Sequence, residues 1–207
     1  MRREPREGCK GCAIRPENLC IGDRRAPIQP HPSPYFAHRS RTLPARSLLL
    51  YPDPRLRLPA EPVHAFDDAL RAAADDLFEA LKAVSALGLT LPHLGRLQRV
   101  MVVRLDPGDP ATTYVNPEIV WSSPERAPQM EGSVSMPGVT DLVERATQIR
   151  LRFRGLDGAE QEESAAGFRA ACLQHEIDQL DGIFWIDRLS RLRRERAVKR
   201  FGKLRRP

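Results

Sequence analysis

The sequence predicts an α+β fold, and three observations carry that prediction. In Phe66–Leu87 the residues Leu70, Ala73, Leu77, Leu81 and Val84 recur at the helical period, which marks an amphipathic helix. In Arg145–Arg154 the residues Thr147, Ile149, Leu151 and Phe153 alternate with Gln148, Arg150, Arg152 and Arg154, the pattern of a strand with one face buried. Further on, Phe168, Cys172, His175 and Gln179 follow one another at steps of four, three and four, so they share one face of a second helix.

Residues 1–45 hold seven of the 19 prolines and few bulky apolar side chains, so they are expected to be an extended, largely disordered arm. Cys9, Cys12 and Cys20 lie in this arm with spacing C-x2-C-x7-C. With His31 or His38 they could form a metal knuckle, but no fourth ligand stands at a fixed spacing, and reduced thiols in an unfolded arm are the simpler expectation. An ordered domain is expected over 46–190. Its helix at Phe66–Leu87 carries Asp67 and Asp68 in the first turn, where the helix dipole favours negative charge. Leu97–Leu105 is rich in β-branched residues and reads as a strand. A Gly155-Leu156-Asp157-Gly158 turn follows the alternating strand, and Ser164–Cys172 reads as the start of the second helix, which Gly182 would end.

The net charge of +6 is unevenly placed. Residues 191–207 contain nine Lys or Arg and one Glu, a net of +8, so the remainder carries +6 − 8 = −2. This segment is expected to be a basic, frayed C-terminal helix, either a solvated face or a contact for a polyanion such as RNA. No run of 18 apolar residues exists and the N-terminus has no apolar core, so neither a membrane helix nor a secretory signal is expected, and a cytoplasmic protein is.

The stretch Gln174-His175-Glu176-Ile177-Asp178-Gln179-Leu180-Asp181-Gly182 approaches a metal-hydrolase helix of the H-E-x-x-H type, with Gln179 where the second His would stand. With Phe184-Trp185-Ile186-Asp187-Arg188-Leu189 it resembles the third signature of peptide deformylases, QHExDHLDG. Gly88-Leu89-Thr90-Leu91-Pro92-His93-Leu94-Gly95 resembles the first, GLAAPQxG, and Glu131-Gly132-Ser133-Val134-Ser135 resembles the second, EGCLS. Leu48-Leu49-Leu50-Tyr51-Pro52-Asp53-Pro54 and Asn116-Pro117-Glu118-Ile119 add to the likeness, which spans about 46–204.

The resemblance implies a peptide deformylase-like fold, with mainly antiparallel strands around a central helix bearing His175 and Glu176. It implies removal of the formyl group from the N-terminal Met of nascent polypeptides, using a divalent metal, iron or zinc, held by one Cys and two His. Glu176 takes the general acid/base role and His175 one ligand position; Ser133 and Gln179 occupy the positions of the other two. Gly88 and the Val134 N–H fall in the substrate cleft, and His93 replaces the Gln whose amide holds the developing oxyanion. Thr90 and Leu91, bulkier than the family's Ala, are expected to crowd that cleft. The implied partners are a formylated nascent peptide and, through the basic C-terminus, the ribosome.

Neutral hydroxyl and amide oxygens are weak ligands for these metals, so impaired or absent deformylation is the leading expectation. Another is a working deformylase or other amide hydrolase with a rebuilt centre of His93, His175 and Glu176, Gln179 then facing the substrate. A non-catalytic ribosome- or RNA-associated factor is a third. Ser133 acting as a nucleophile with His175 as base, and Cys172 as a replacement thiolate or apolar wall residue, complete the set.

Overall fold

A computed structural model describes residues 48–205. The arm expected at 1–45, with its three cysteines, lies outside the described residues, as do the last two residues of the basic segment. In chain order the elements are α1 (Asp68–Ala83), β1 (Gly88–Thr90), β2 (Val100–Val103), β3 (Thr112–Ser122), β4 (Arg126–Gly132), β5 (Thr140–Ala146), β6 (Gln148–Arg154), β7 (Glu160–Ala166), α2 (Gly167–Leu180) and α3 (Arg191–Leu204). Five strands form an antiparallel sheet in the order β1-β2-β3-β6-β7, and β4 and β5 pair separately. The class is α+β, as expected.

The short run Val100-Met101-Val102-Val103 is buried on both faces. Alternation sends Met101 and Val103 into a core with Ile149, Leu151 and, from α2, Ala170, Leu173 and Ile177. Val100 and Val102 go to the opposite side, against Leu70, Leu77 and Leu81 of α1. Each such side chain stabilises the fold by about 1.5–3 kcal/mol through area removed from water. The sheet is thus clamped between α1 and α2.

Several element ends differ from the sequence reading. Asp67 caps α1 by accepting the Leu70 N–H at 3.0 Å. The helix stops at Ala83 because Ser85 turns to φ 53°, leaving Leu87 outside it. Ser164, Ala165 and Ala166 are not helical but finish β7, paired with Arg150, Ile149 and Gln148 of β6. Arg145 and Ala146 belong to β5, separated from β6 by Thr147, whose N–H bonds the Glu125 carbonyl. Gly182, at φ 75°, follows the end of α2; a Cβ there would lie 2.7 Å from the Arg57 carbonyl oxygen, which reserves the position for glycine.

The C-terminal helix is docked rather than frayed. Ala197 and Phe201 of α3 are buried with Leu49, Met136, Phe184 and Trp185, and Phe201 meets the ring of Tyr51 edge-on at 6.2 Å. Arg193 pairs with Asp141, and Arg194 bonds the carbonyls of Ile186 and Asp187. Part of the charge expected to face a partner is therefore spent on the domain itself. No helix among the described residues is long and apolar enough to cross a membrane.

Candidate active site

The middle of α2 opens on a cavity of about 450 Å³. Its other walls are the end of β4, the connection 133–140, the approach to β1 and the His93 ring. From α2 it receives Phe168, Cys172, His175 and Glu176. Gly88, Ser133 and Val134 also reach it, so three separate stretches of chain converge as expected. Gln179, one turn beyond His175, does not. It is 2 % exposed, and its Nε2 donates to the Leu56 carbonyl at 2.8 Å, so the expectation that it faces the substrate is overturned. The helix face remains in register, but its last member is buried against the turn over Pro54–Arg57.

His175 rests on a buried ionic chain. Its Nδ1 lies 2.9 Å from Glu131 Oε2. Glu131 also receives Arg145 through two bonds, at 2.6 and 3.0 Å. Arg145 passes on to Asp178, which is held in turn by Arg188. Burial pulls the His175 pKa down, but the Glu131 hydrogen bond and the negative fields of Glu176 and Glu131 outweigh it, and the net movement is upward. Burial pushes Glu131 up, yet its bonds from His175 and Arg145 win and hold it below the usual carboxylate range. Gln174 anchors the same turn of α2 to β5, accepting the Ala146 N–H and donating to the Ala146 carbonyl.

Glu176 has the opposite surroundings. It is 6 % exposed, and its Oε2 has no hydrogen-bond partner among the described residues. Burial pushes its pKa up to about 7; the nearby His175 opposes the rise and Glu131 adds to it. Near neutral pH this carboxyl can hold or release a proton, which is what a general acid/base needs.

The first-signature stretch forms β1 and the 3-10 turn Leu91–Leu94. Thr90 and Leu91 are fully buried and do not crowd the cavity. Thr90 instead holds His93: its N–H donates to Nδ1 at 3.2 Å, and its hydroxyl lies 2.8 Å from the same nitrogen. Burial, and next the charge on His175, lower the His93 pKa to about 3.

The donor set does not fit a firmly held iron or zinc ion. Ser133 Oγ accepts the Ser135 N–H at 3.1 Å, and Gln179 is engaged outside the cavity. Burial pushes the Cys172 thiol up to about 12, with Glu176 and Glu131 adding to the rise, so it is a neutral wall group and not a ready thiolate. Among the described residues no three His, Cys, Asp or Glu side chains are placed to hold a metal, the set of His93, His175 and Glu176 included. Among the described residues no hydrogen bond joins Ser133 to His175, so a Ser133–His175 dyad is not assembled.

A family model described as polypeptide deformylase matches residues 45–195. The chain belongs to the polypeptide deformylase family. A peptide deformylase-like protein of Brucella suis is 56 % identical over 161 residues, which cover 78 % of this chain and 98 % of that protein. A peptide deformylase of the same organism is 39 % identical, covering 77 % and 93 %. The crystal structure of a peptide deformylase from Legionella pneumophila superposes with a TM-score of 0.72 at 35 % identity, covering 77 % of this chain and 98 % of that one. His175 and Glu176 both lie on α2 within the matched residues. Sequence reasoning missed Glu131 as the acid that orients His175, Arg145 as its buried counterion, and Thr90 as the holder of His93. The Glu131-Gly132 and Thr90-x-x-His93 spacings were visible, but their partners lie 44 and three residues away through folded geometry.

Proposed function

We propose that this deformylase-family chain has impaired or lost metal-dependent deformylation and retains a cavity for the amino-terminal end of a peptide. The observation that carries the reading is the fate of two family ligand positions. The Ser133 hydroxyl is bonded to the Ser135 N–H, and the Gln179 amide is committed to Leu56 outside the cavity. Glu176 and the Val134 backbone remain at the cavity wall, so the peptide-facing surface outlasts the metal-facing one. Greater identity to the deformylase-like protein of Brucella suis than to that organism's deformylase supports the same reading. The basic helix α3 still shows Arg191, Arg196, Lys199, Arg200 and Lys203 to solvent, which suits a salt-sensitive contact with ribosomal RNA in the cytoplasm.

The test pairs metal content with turnover of formyl-Met-Ala-Ser. The purified protein is expected to hold no stoichiometric iron or zinc and to show turnover near background. The Ser133→Cys/Gln179→His double variant is expected to gain both. Full turnover by the unaltered chain would falsify the reading.

A further inference from the structure

We infer that helix α3 is the outer support of the cavity wall. Its residues Phe201 and Leu204 are positioning residues: they set where the segment 133–139 stands, and so how tightly the cavity holds a ligand. The part that concerns ligand affinity rests on the reading of the cavity as a site for a peptide end. Neither Phe201 nor Leu204 lines the cavity.

Residues 133–139 lie between β4 and β5 and belong to neither strand. Ser133, Val134, Pro137, Gly138 and Val139 line the cavity. The segment makes a tight turn on itself: the Met136 N–H donates to the Ser133 carbonyl at 2.8 Å, and the Ser135 N–H to Ser133 Oγ at 3.1 Å. A stretch outside the strand ladders takes its position from what packs on it, and it is locally stable only where that packing is good.

What packs on it from outside is α3. Met136, which does not line the cavity, is fully buried in a cluster with Ala197 and Phe201, and Val139 joins the same cluster. Leu204, the last residue of α3, lies on Gly138: a Cβ built on that glycine would come within 3.0 Å of Leu204 Cδ1. Gly138 has φ 79°, so the absence of a side chain both permits the turn and bares the main chain to the helix. Beyond Leu204, Arg205 donates to the Tyr51 carbonyl at 3.1 Å, and the Tyr51 N–H donates to the Ser135 carbonyl at 2.8 Å. At the other end of α3, Arg193 pairs with Asp141 and donates to the Leu142 carbonyl at 2.7 Å, just past the segment. The helix therefore grips the wall near both of its own ends. Its outer face shows Arg196, Lys199 and Arg200 to solvent, so a contact made there is made on the support of the cavity.

The test uses the full-length protein, with residue-resolved amide hydrogen exchange at pH 7 and equilibrium binding of formyl-Met-Ala-Ser. Leu204 is 57 % exposed, so Leu204→Ala is expected to keep the melting temperature within about 2 °C of wild type. It is expected to speed exchange of the Met136 N–H about tenfold and to weaken the peptide about fivefold. Leu204→Met, which keeps an apolar side chain over Gly138, should restore both. Phe201→Leu should act in the same direction as Leu204→Ala. Leu192→Ala removes a side chain from the same helix that is 56 % exposed and outside the cluster, and should change neither. Unchanged exchange and affinity in Leu204→Ala overturn the inference. Equal loosening in Leu192→Ala also overturns it, because the effect is then fraying of the helix. Faster exchange with unchanged affinity leaves packing alone and overturns the positioning role. If the wild-type protein does not bind the peptide, the peptide-end reading falls, and the exchange rates still decide whether α3 supports the wall.

Discussion

His93 and His175 are both largely buried, both line one cavity, and each commits Nδ1 to a neighbour. The neighbours differ in kind. His175 meets a carboxylate that is itself held by an arginine, and its affinity for a proton rises. His93 meets an N–H and a hydroxyl, and its pKa falls to about 3. Burial pulls both rings the same way, so the partner decides which way each pKa moves. A histidine in a pocket is therefore not interchangeable with another: one is held beside a salt-bridge chain that raises its affinity for a proton, the other is built into a backbone turn that leaves it neutral.

The most damaging way to break this contrast is Glu131→Gln. It leaves Arg145, whose side chain is 4 % exposed, with Asp178 as its buried anionic partner, and takes the negative charge away from beside His175. A loss of about 3–5 kcal/mol in urea denaturation at pH 7 is expected, together with a fall in the His175 pKa. A loss under about 1 kcal/mol would mean that Asp178 alone satisfies the arginine.

Acid sharpens the contrast from the other side. Below pH 6.5 the unfolded chain protonates position 93, while the folded ring resists down to about pH 3. The unfolded state thus binds more protons in that window, and stability falls as pH falls. The contribution is on the order of 3 kcal/mol by pH 4, and His93→Gln should remove that part of the slope in denaturation curves recorded from pH 7 to 4. An unchanged slope would place the acid sensitivity elsewhere.

Glu176 gives the smaller effect and the opposite sign. Its folded pKa is raised to about 7 from 4.5, so the stability tied to its neutral form is full below pH 4.5 and is lost as pH rises through 7. Glu176→Gln should gain on the order of 2 kcal/mol relative to wild type between pH 4.5 and 8, less than the full shift implies because ionised Glu176 also supports the His175 cation. Parallel pH–stability curves for the two proteins would show the carboxyl to be ordinary.

Much of the frame was legible because local pattern and tertiary demand agree. The helical period of α1, the unbroken Val100–Val103 run and the alternation of β6 each name the face that ends up buried. Where they disagree, the sequence misled. Glu160–Ala166 has the Glu and Ala of a good helix, yet seven backbone pairings with β6 draw it into the sheet edge. The pair β4–β5 was hidden by Pro128 and Gly132 and by its polar residues. In the site, the convergence of Gly88, Ser133, Val134, His175 and Glu176 on one cavity was readable from the motifs. Where Gln179 would turn instead was not, since its acceptor is a carbonyl 123 residues earlier.

Gly88 lines the cavity where β1 passes α2, and a Cβ built on it would sit 2.4 Å from Glu176 Oε1. The overlap is with the tip of a side chain and not with a main chain, so a methyl group at 88 would relocate the acid and spare the scaffold. The berth of this proton carrier is therefore set by the absence of one carbon on a neighbouring strand.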